Sequence, residues 1–356
     1  MNSPLISVVT PCFRGGRFLA EAIESVLSQT EKSWELILVD NNASEKTLEI
    51  ANRYLSRYPQ KIRLVQEREQ GVASARNCGI REAIGKYIAL LDDDDCMYPD
   101  RLLLQREAFE KFPSAVLCYG ALDKVSNDNT KILEKNWKNP DFYKKNGMIN
   151  LSNLSFKCID PIPSTMMFEK KKAMTIGLFD KHFNPVFLED TFFSLAMSEI
   201  GTFIEVDDSV IRYRMPNEEF LKEKRANNLK IYRLLLNQDY FYSKFVDMLN
   251  KKNIFINEKV QEDLKSWRSR WLREASFSFL SIKGGEAIAR IFLLRALREN
   301  PLDVKSIKHL VRSFYSIQHR SRIYGKNEVP NEGIPSDISK KLILSIFKGN
   351  HHCEFC

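Results

Sequence analysis

Four consecutive aspartates, Asp92 to Asp95, follow the apolar run KYIALL. Like charges a few ångströms apart repel, so each carboxyl raises its neighbours' pKa unless a cation is supplied. Alternate side chains of an extended exit share a face, so Asp92 with Asp94, or Asp93 with Asp95, can address one ion. Hard carboxylate oxygens suit Mg2+ or Mn2+, which usually take one or two carboxylates together with substrate phosphates. Such an ion would arrive with a nucleotide; a solvated acidic turn is the other reading these residues allow. Two more polar patches, Pro11-Cys12-Phe13-Arg14 and Asp40-Asn41-Asn42, also close β-rich runs. The terminal HHCEFC places His351, His352, Cys353 and Cys356 together, but no second C-x-x-C accompanies it, and a frayed end is the favoured reading over a zinc site.

The elements that must position these residues can be read from periodicity. Over the first 125 residues, LISVV, ELILVD, IRLVQE, KYIALLD and AVLCYGALDKV alternate with helical patterns. Phe18, Leu19, Ala22, Ile23, Val26 and Leu27 form a 3.6-residue stripe able to cover a sheet. A second helix is expected to start at the N-cap Ser44 and to end before Pro59. Strands joined by crossover helices predict an open parallel sheet, whose ligands bind beyond the carboxyl ends of the strands. All three polar patches fall at such ends. Residues 126–160 are polar and irregular and read as loops with a lid, whereas the chain beyond Pro216 shows long helical patterns. The division predicted is therefore 1–216 for an α/β domain and 217–356 for a helical region.

Composition sets the outer limits. The chain has 356 residues, 44% hydrophobic and 28% charged, enough to build a sizeable core. No apolar run approaches the roughly 18–20 residues of a membrane-spanning helix. The N-terminus lacks a signal-peptide pattern and the seven scattered cysteines do not describe a disulfide framework, so a cytoplasmic location with reduced thiols is expected. The net charge of +8 is uneven: residues 1–216 hold 28 basic and 30 acidic side chains, residues 217–356 hold 26 and 16. The basic region suggests peripheral contact with the inner face of a membrane, with the amphipathic ISKKLILSIFKG as its candidate element, although solvated helix charge is the commoner meaning. Nucleic-acid binding is disfavoured, because neither a zinc-finger pattern nor an aromatic RNA-binding motif accompanies the charge.

The run LLDDDDCMYPDRL resembles the apolar-D-x-D-D-x-x-x-P-x-R/K-L signature of family 2 glycosyltransferases with the GT-A fold. Four more segments resemble that family in order: SVVTPCFRGGRFLAEAIESVLSQT, ELILVDNNAS, QGVASARNCGI, and VFLEDTFFSLAMSEIG followed by IRYRM. The resemblance implies a Rossmann-like, open, twisted, mostly parallel sheet flanked by helices, followed by the helical extension.

It also implies roles. Asp92 and Asp94 become the DxD pair on a divalent cation, with Asp92 and Asp93 near the donor. Asp40 would accept from a uracil N–H, Pro11 and Phe13 would border the base, and Arg76 would meet diphosphate or a carboxylate. A salt bridge to the aspartate run is the rival role for Arg76, and Arg14 departs from the asparagine common at its position. Asp190 would be the base, desolvated by Phe187, Leu188 and Phe192, with Glu189 orienting it or touching the acceptor. Ser164 and Thr165 are candidate acceptor contacts, with a structural role the commoner one for turn hydroxyls. The activity implied is inverting transfer from a nucleotide sugar, UDP-linked by expectation, to a hydroxyl of a glycan or lipid-linked acceptor in cell-surface polysaccharide synthesis. The alternatives are a nucleotidyltransferase using the same acidic cluster, and a non-catalytic nucleotide-binding scaffold. The absence of G-x-x-x-x-G-K-[ST] counts against a P-loop enzyme.

Overall fold

The computed structural model describes residues 3–13, 15–138, 148–149, 161–184, 188–216, 286–301 and 304–312, with single positions 240, 244, 247, 265, 269, 272, 273 and 276. Arg14, Phe187, the segment ISKKLILSIFKG and the HHCEFC tail lie outside the described residues, as does most of the expected lid segment. The chain falls into two compact units, Met1–Glu218 and Glu219–Cys356.

In the first unit, β1 (Ile6–Cys12), β2 (Trp34–Asp40), β3 (Ile62–Gln66) and β4 (Tyr87–Leu90) form a parallel array in the order β3-β2-β1-β4. The connections are α1 (Phe18–Leu27), α2 (Glu45–Arg57) and α3 (Val72–Glu82). Alternation along the strands splits the core by side-chain direction. Ile6, Val8, Leu36 and Leu38 face a layer with α1, α2 and α4 (Arg101–Lys111), while Val9, Ile37 and Val39 face a layer with α3, α5 (Lys170–Thr175) and α6 (Glu189–Ile200). Both faces are covered, which is why these strands read as continuous apolar runs. The Ser44 hydroxyl caps α2 by accepting from the Thr47 amide at 3.3 Å, as its sequence position predicts.

Beyond β4 the sheet becomes mixed. The short β9 (Met167–Glu169) inserts antiparallel between β4 and the long β6 (Ala115–Val125), and β10 (Thr202–Arg214) then pairs parallel with β6. The two-residue β5 (Cys96–Met97) and β8 (Met148–Ile149) pair with β10, and β7 (Ile132–Trp137) with β6, all antiparallel. A register shift between Val206 and Ser209 bulges β10. The insertion of β9 leaves the carboxyl end of β4, where the aspartates begin, flanked by chain from late in the sequence.

In the second unit, α7 (Glu286–Glu299) buries Ala289, Phe292, Leu293 and Ala296 and packs with α8 (Val304–Arg312). Helix α7 stops before Asn300-Pro301, where proline cannot continue a helix. No described helix is long and apolar enough to cross a membrane.

Candidate active site

The exits of β1, β2 and β4 lie side by side. The Asn41 amide donates to the Cys12 carbonyl at 3.1 Å, the Ser44 amide to Phe13 O at 3.2 Å, and the Leu91 amide to Val9 O at 3.1 Å. Pro11 is tolerated within β1 because the ladder to β4 ends two residues earlier, at Val9 and Leu90. Phe13 is exposed by 37% at this rim. Asp40 closes β2, and its Oδ1 accepts from the Ala43 amide at 2.9 Å, so one oxygen shapes the turn into α2.

The four aspartates are handled differently from one another. Asp93 turns back onto the β1 exit, where Oδ2 accepts from the amides of Phe13 at 3.0 Å and Gly15 at 2.8 Å. The approach is close enough that a Cβ on Gly15 would sit 2.6 Å from the Asp93 carboxyl carbon. Asp95 is buried, with Oδ1 accepting from the Arg214 amide at 3.0 Å and no partner for Oδ2. Asp94 is exposed and Asp92 half-buried. The Asp92 amide donates to the buried Ser164 hydroxyl at 3.0 Å, while the Thr165 hydroxyl donates to Ile162 O at 2.8 Å. These two hydroxyls thus stabilise the turn that backs the acidic run.

Arg76 joins the acidic run to the later acidic pair. Its Nη2 pairs with Asp92 Oδ1 at 2.9 Å and its Nη1 with Glu189 Oε1 at 2.9 Å, with the Arg76 side chain only 3% exposed. Its planar fork is what allows two carboxylates from distant segments to be held at once. The guanidinium also lies over Phe179, 5.5 Å from the ring centroid, and Phe179 stacks on Phe193 of α6 at 4.1 Å. Helix α3 supplies the neighbouring anchors. Asn77 exchanges two hydrogen bonds with the Phe179 backbone, at 2.8 and 2.9 Å, and Asn184 accepts from the Ala73 amide at 3.0 Å while donating to Ser74 Oγ at 2.8 Å. Gly71 takes φ +142°, and a Cβ there would sit 2.1 Å from Asn184 Cγ. The segment Gly71 to Gly79 is therefore the clamp that brings Phe179, Asn184 and Glu189 to the strand exits.

Glu189 and Asp190 open α6 after Leu188, a left-handed non-glycine residue at φ +88°. Such strain is held only where the surroundings over-determine the backbone. Asp190 Oδ1 accepts from the Thr191 amide at 2.7 Å. Burial raises the Asp190 pKa, opposed by Arg76, and raises that of Glu189, where the charge of Asp190 adds to the effect and Arg76 again opposes it. Burial likewise pushes Asp93 up to about 7, against the pull of the Phe13 amide and with a further rise from Asp94 and Asp92. Asp95 is held well above the usual carboxyl range, by burial first and then by Asp94 and Asp92.

The corner thus gathers the carboxyls of Asp92 to Asp95, Glu189 and Asp190 around Arg76, with Arg214 behind the run, and the raised pKa values of Asp93, Asp95, Glu189 and Asp190 mark a setting that a cation would relieve. Among the described residues no three His, Cys, Asp or Glu side chains are grouped to cage a metal. Asp92 and Asp94 offer two hard carboxylates at an open corner, a donor set that suits Mg2+ or Mn2+ completed by phosphate oxygens.

Several contributors were not legible as site residues. Asn41 ties β2 to the next exit by donating to the carbonyls of Glu67 at 2.9 Å and Glu69 at 2.8 Å and accepting from the Gly71 amide at 2.8 Å. Arg101, fully buried with its pKa lowered by burial to about 9, donates to the carbonyls of Leu90 and Met166, each at 3.0 Å. Its only sequence signal is the P-x-R-L end of the aspartate motif.

In an open α/β sheet the ligand site lies beyond the carboxyl ends of the strands, and here an acidic corner at that edge is faced by a second acidic pair. Residues 7–177, just under half of the chain, match the family described as Glycosyl transferase family 2, so this stretch is a domain of that kind. It is 38% identical over 134 residues to an uncharacterized glycosyltransferase of Rickettsia felis, covering 38% of this chain and 22% of that one. It is 33% identical over 189 residues to one of Rickettsia prowazekii, covering 50% of this chain and 54% of that one. To chondroitin synthase of Escherichia coli it is 24% identical over 270 residues, covering 73% and 37%. The chain thus spans between about a fifth and a half of the length of these relatives. Among solved structures it resembles S. aureus TarS 1–349 in complex with UDP, at TM-score 0.51 and 15% identity over 93% of this chain and 94% of that one. It also resembles GalNAc-T7 with UDP, GalNAc and Mn2+, at TM-score 0.51 and 17% identity over 61% and 45%. The fold is that of GT-A glycosyltransferases.

Proposed function

We propose that this protein transfers a sugar from a nucleotide-sugar donor to a hydroxyl group of a glycan or lipid-linked acceptor, with inversion at the anomeric carbon. The observation that carries the reading is the Arg76 bridge, which sets Asp92 and Glu189 at 2.9 Å from one guanidinium and so brings the acidic corner and the acidic pair together. The family match and the relatives named as glycosyltransferases support transfer chemistry. The UDP in the complexes of TarS and GalNAc-T7 supports a uridine donor, and chondroitin synthase supports a polysaccharide setting.

Asp40, with Pro11 and Phe13, borders the base. Asp92 and Asp94 would hold Mn2+ or Mg2+, which when bound supplies charge neutralisation to the departing diphosphate. Asp93 holds the amides of Phe13 and Gly15 beside the donor. Asp190 takes the proton from the acceptor hydroxyl; the acceptor oxygen bonds to the anomeric carbon as the bond to the phosphate oxygen breaks. Partial burial suits Asp190 to this task, because a raised pKa brings a carboxylate nearer the proton it must accept. Glu189, fixed by Arg76, orients that end of α6.

The test is a pair of substitutions assayed for both binding and transfer. Asp94→Ala is expected to abolish Mn2+-dependent donor binding. Asp190→Asn is expected to retain donor binding and lose transfer by roughly 10²–10⁴-fold, the usual size of a general-base contribution. Unchanged transfer in Asp190→Asn would remove the base assignment.

A further inference from the structure

Behind the acidic run stands a buried cation that the transfer chemistry does not use. Arg214, the last residue of β10, has a side chain 3% exposed. Its Nε donates to the backbone carbonyl of Asp94 at 2.8 Å, and its own amide donates to Asp95 Oδ1 at 3.0 Å. The other guanidinium nitrogens reach elsewhere: Nη2 to Glu21 Oε2 on α1 at 2.9 Å, and Nη1 to the carbonyl of Asn127 in the β6–β7 turn. The guanidinium is 4.2 Å from the centroid of the Phe18 ring. One side chain thus ties the acidic turn to α1 and to the β6–β7 turn.

We propose that Arg214 is a positioning residue that holds Asp94 in the geometry required to receive a divalent cation with the donor diphosphate. The inference rests on the proposed function of that corner. Asp has only two side-chain torsions, so the direction of its carboxylate follows the peptide plane on which it stands. The turn that carries it is anchored at one end by Ser164 through the Asp92 amide at 3.0 Å, at the other by Arg214 at the Asp94 carbonyl, and internally by the Asp95 amide to Asp92 O at 3.2 Å. Without the Arg214 arm, the turn that carries the exposed Asp94 would lose its anchor at the Asp94 carbonyl. A lysine cannot replace the fork, since a single ammonium does not span Asp94, Asn127 and Glu21 in one plane. The groups that orient metal ligands from behind are commonly worth roughly 10–100-fold in metal affinity.

The experiment titrates MnCl2 at fixed UDP against the full chain and follows the melting temperature, for the wild type, Asp94→Ala, Arg214→Lys and Glu21→Ala. Asp94→Ala should lose the Mn2+-dependent rise. Arg214→Lys should need about 10–100-fold more Mn2+ for half of the rise, with UDP saturating. Glu21→Ala, which frees the far end of the guanidinium, should shift the same way by less. If Arg214→Lys and Glu21→Ala melt lower without Mn2+ yet keep the wild-type Mn2+ dependence, Arg214 is scaffold alone and the proposal falls. Should Arg214→Lys fail to fold, an unchanged Mn2+ dependence in Glu21→Ala overturns it equally. If wild type and Asp94→Ala respond alike, the cation reading of the corner fails and takes this inference with it; if they differ and Arg214→Lys follows the wild type, only this inference fails.

Discussion

Arg76 illustrates how a residue type acquires meaning from its surroundings. On its own it is a helix arginine; in the fold it is buried between Asp92 and Glu189, whose charges outweigh the desolvation of the guanidinium and raise its pKa above the usual value. Removing one member of such a group leaves the rest uncompensated, at a cost of about 3–5 kcal/mol. Arg76→Met should therefore lower unfolding free energy in urea by that order and release α6 from the aspartate turn. Asp93 permits a pH prediction. Its folded-state pKa of about 7 lies above the ordinary 3.8. The folded protein thus binds a proton that the unfolded chain has released across that window, and the stabilisation is lost as pH rises through 7. In metal-free protein the melting temperature should rise as pH falls from 8 to 6, and Asp93→Asn, which keeps an acceptor for both amides, should flatten that slope. An equal slope in the variant would refute the assignment.

At the scale of elements, α3 governs the cleft more than the strands do. Gly71, Asn77 and Gly79 each serve packing: Gly71 meets Asn184, Asn77 pairs with the Phe179 backbone, and a Cβ on Gly79 would sit 2.4 Å from Val9 Cγ1. Gly71→Ala must relieve both a positive φ and a 2.1 Å contact, so it should destabilise by about 1–3 kcal/mol by calorimetry and weaken acceptor-dependent turnover through a displaced Asn184. The periodicities of α1, α2 and β1 to β4 were readable because both patterns are local. The strands β5 and β9 were not, being two and three residues long and held by partners distant in sequence, nor was β7, whose six mostly exposed residues form a hairpin with β6 and carry no apolar alternation. PIPSTMMFEKKK carries no alternation that would mark Met167–Glu169 as a strand in mid-sheet.

For the whole molecule, the compact unit Met1–Glu218 contains every residue assigned to donor, cation and base. We expect residues 1–218 expressed alone to unfold cooperatively and to gain melting temperature from Mn2+ with UDP, since a ligand bound only by the folded state stabilises it by mass action. Failure to fold would show that residues 219–356 complete the catalytic unit. The amino-acid sequence by itself determined the parallel half of the sheet, the carboxyl-edge location of the polar patches and the family resemblance, because residue types, spacings and short-range periodicities are local properties. Only the tertiary structure decided which aspartate does what. Asp93 turns to the β1 exit, Asp95 to β10, Arg76 to two carboxylates 97 positions apart in the chain, and Asp94 stands exposed with its carbonyl on Arg214. Four identical neighbours differ only through the distant groups that pack against each of them, and no local pattern records which those will be.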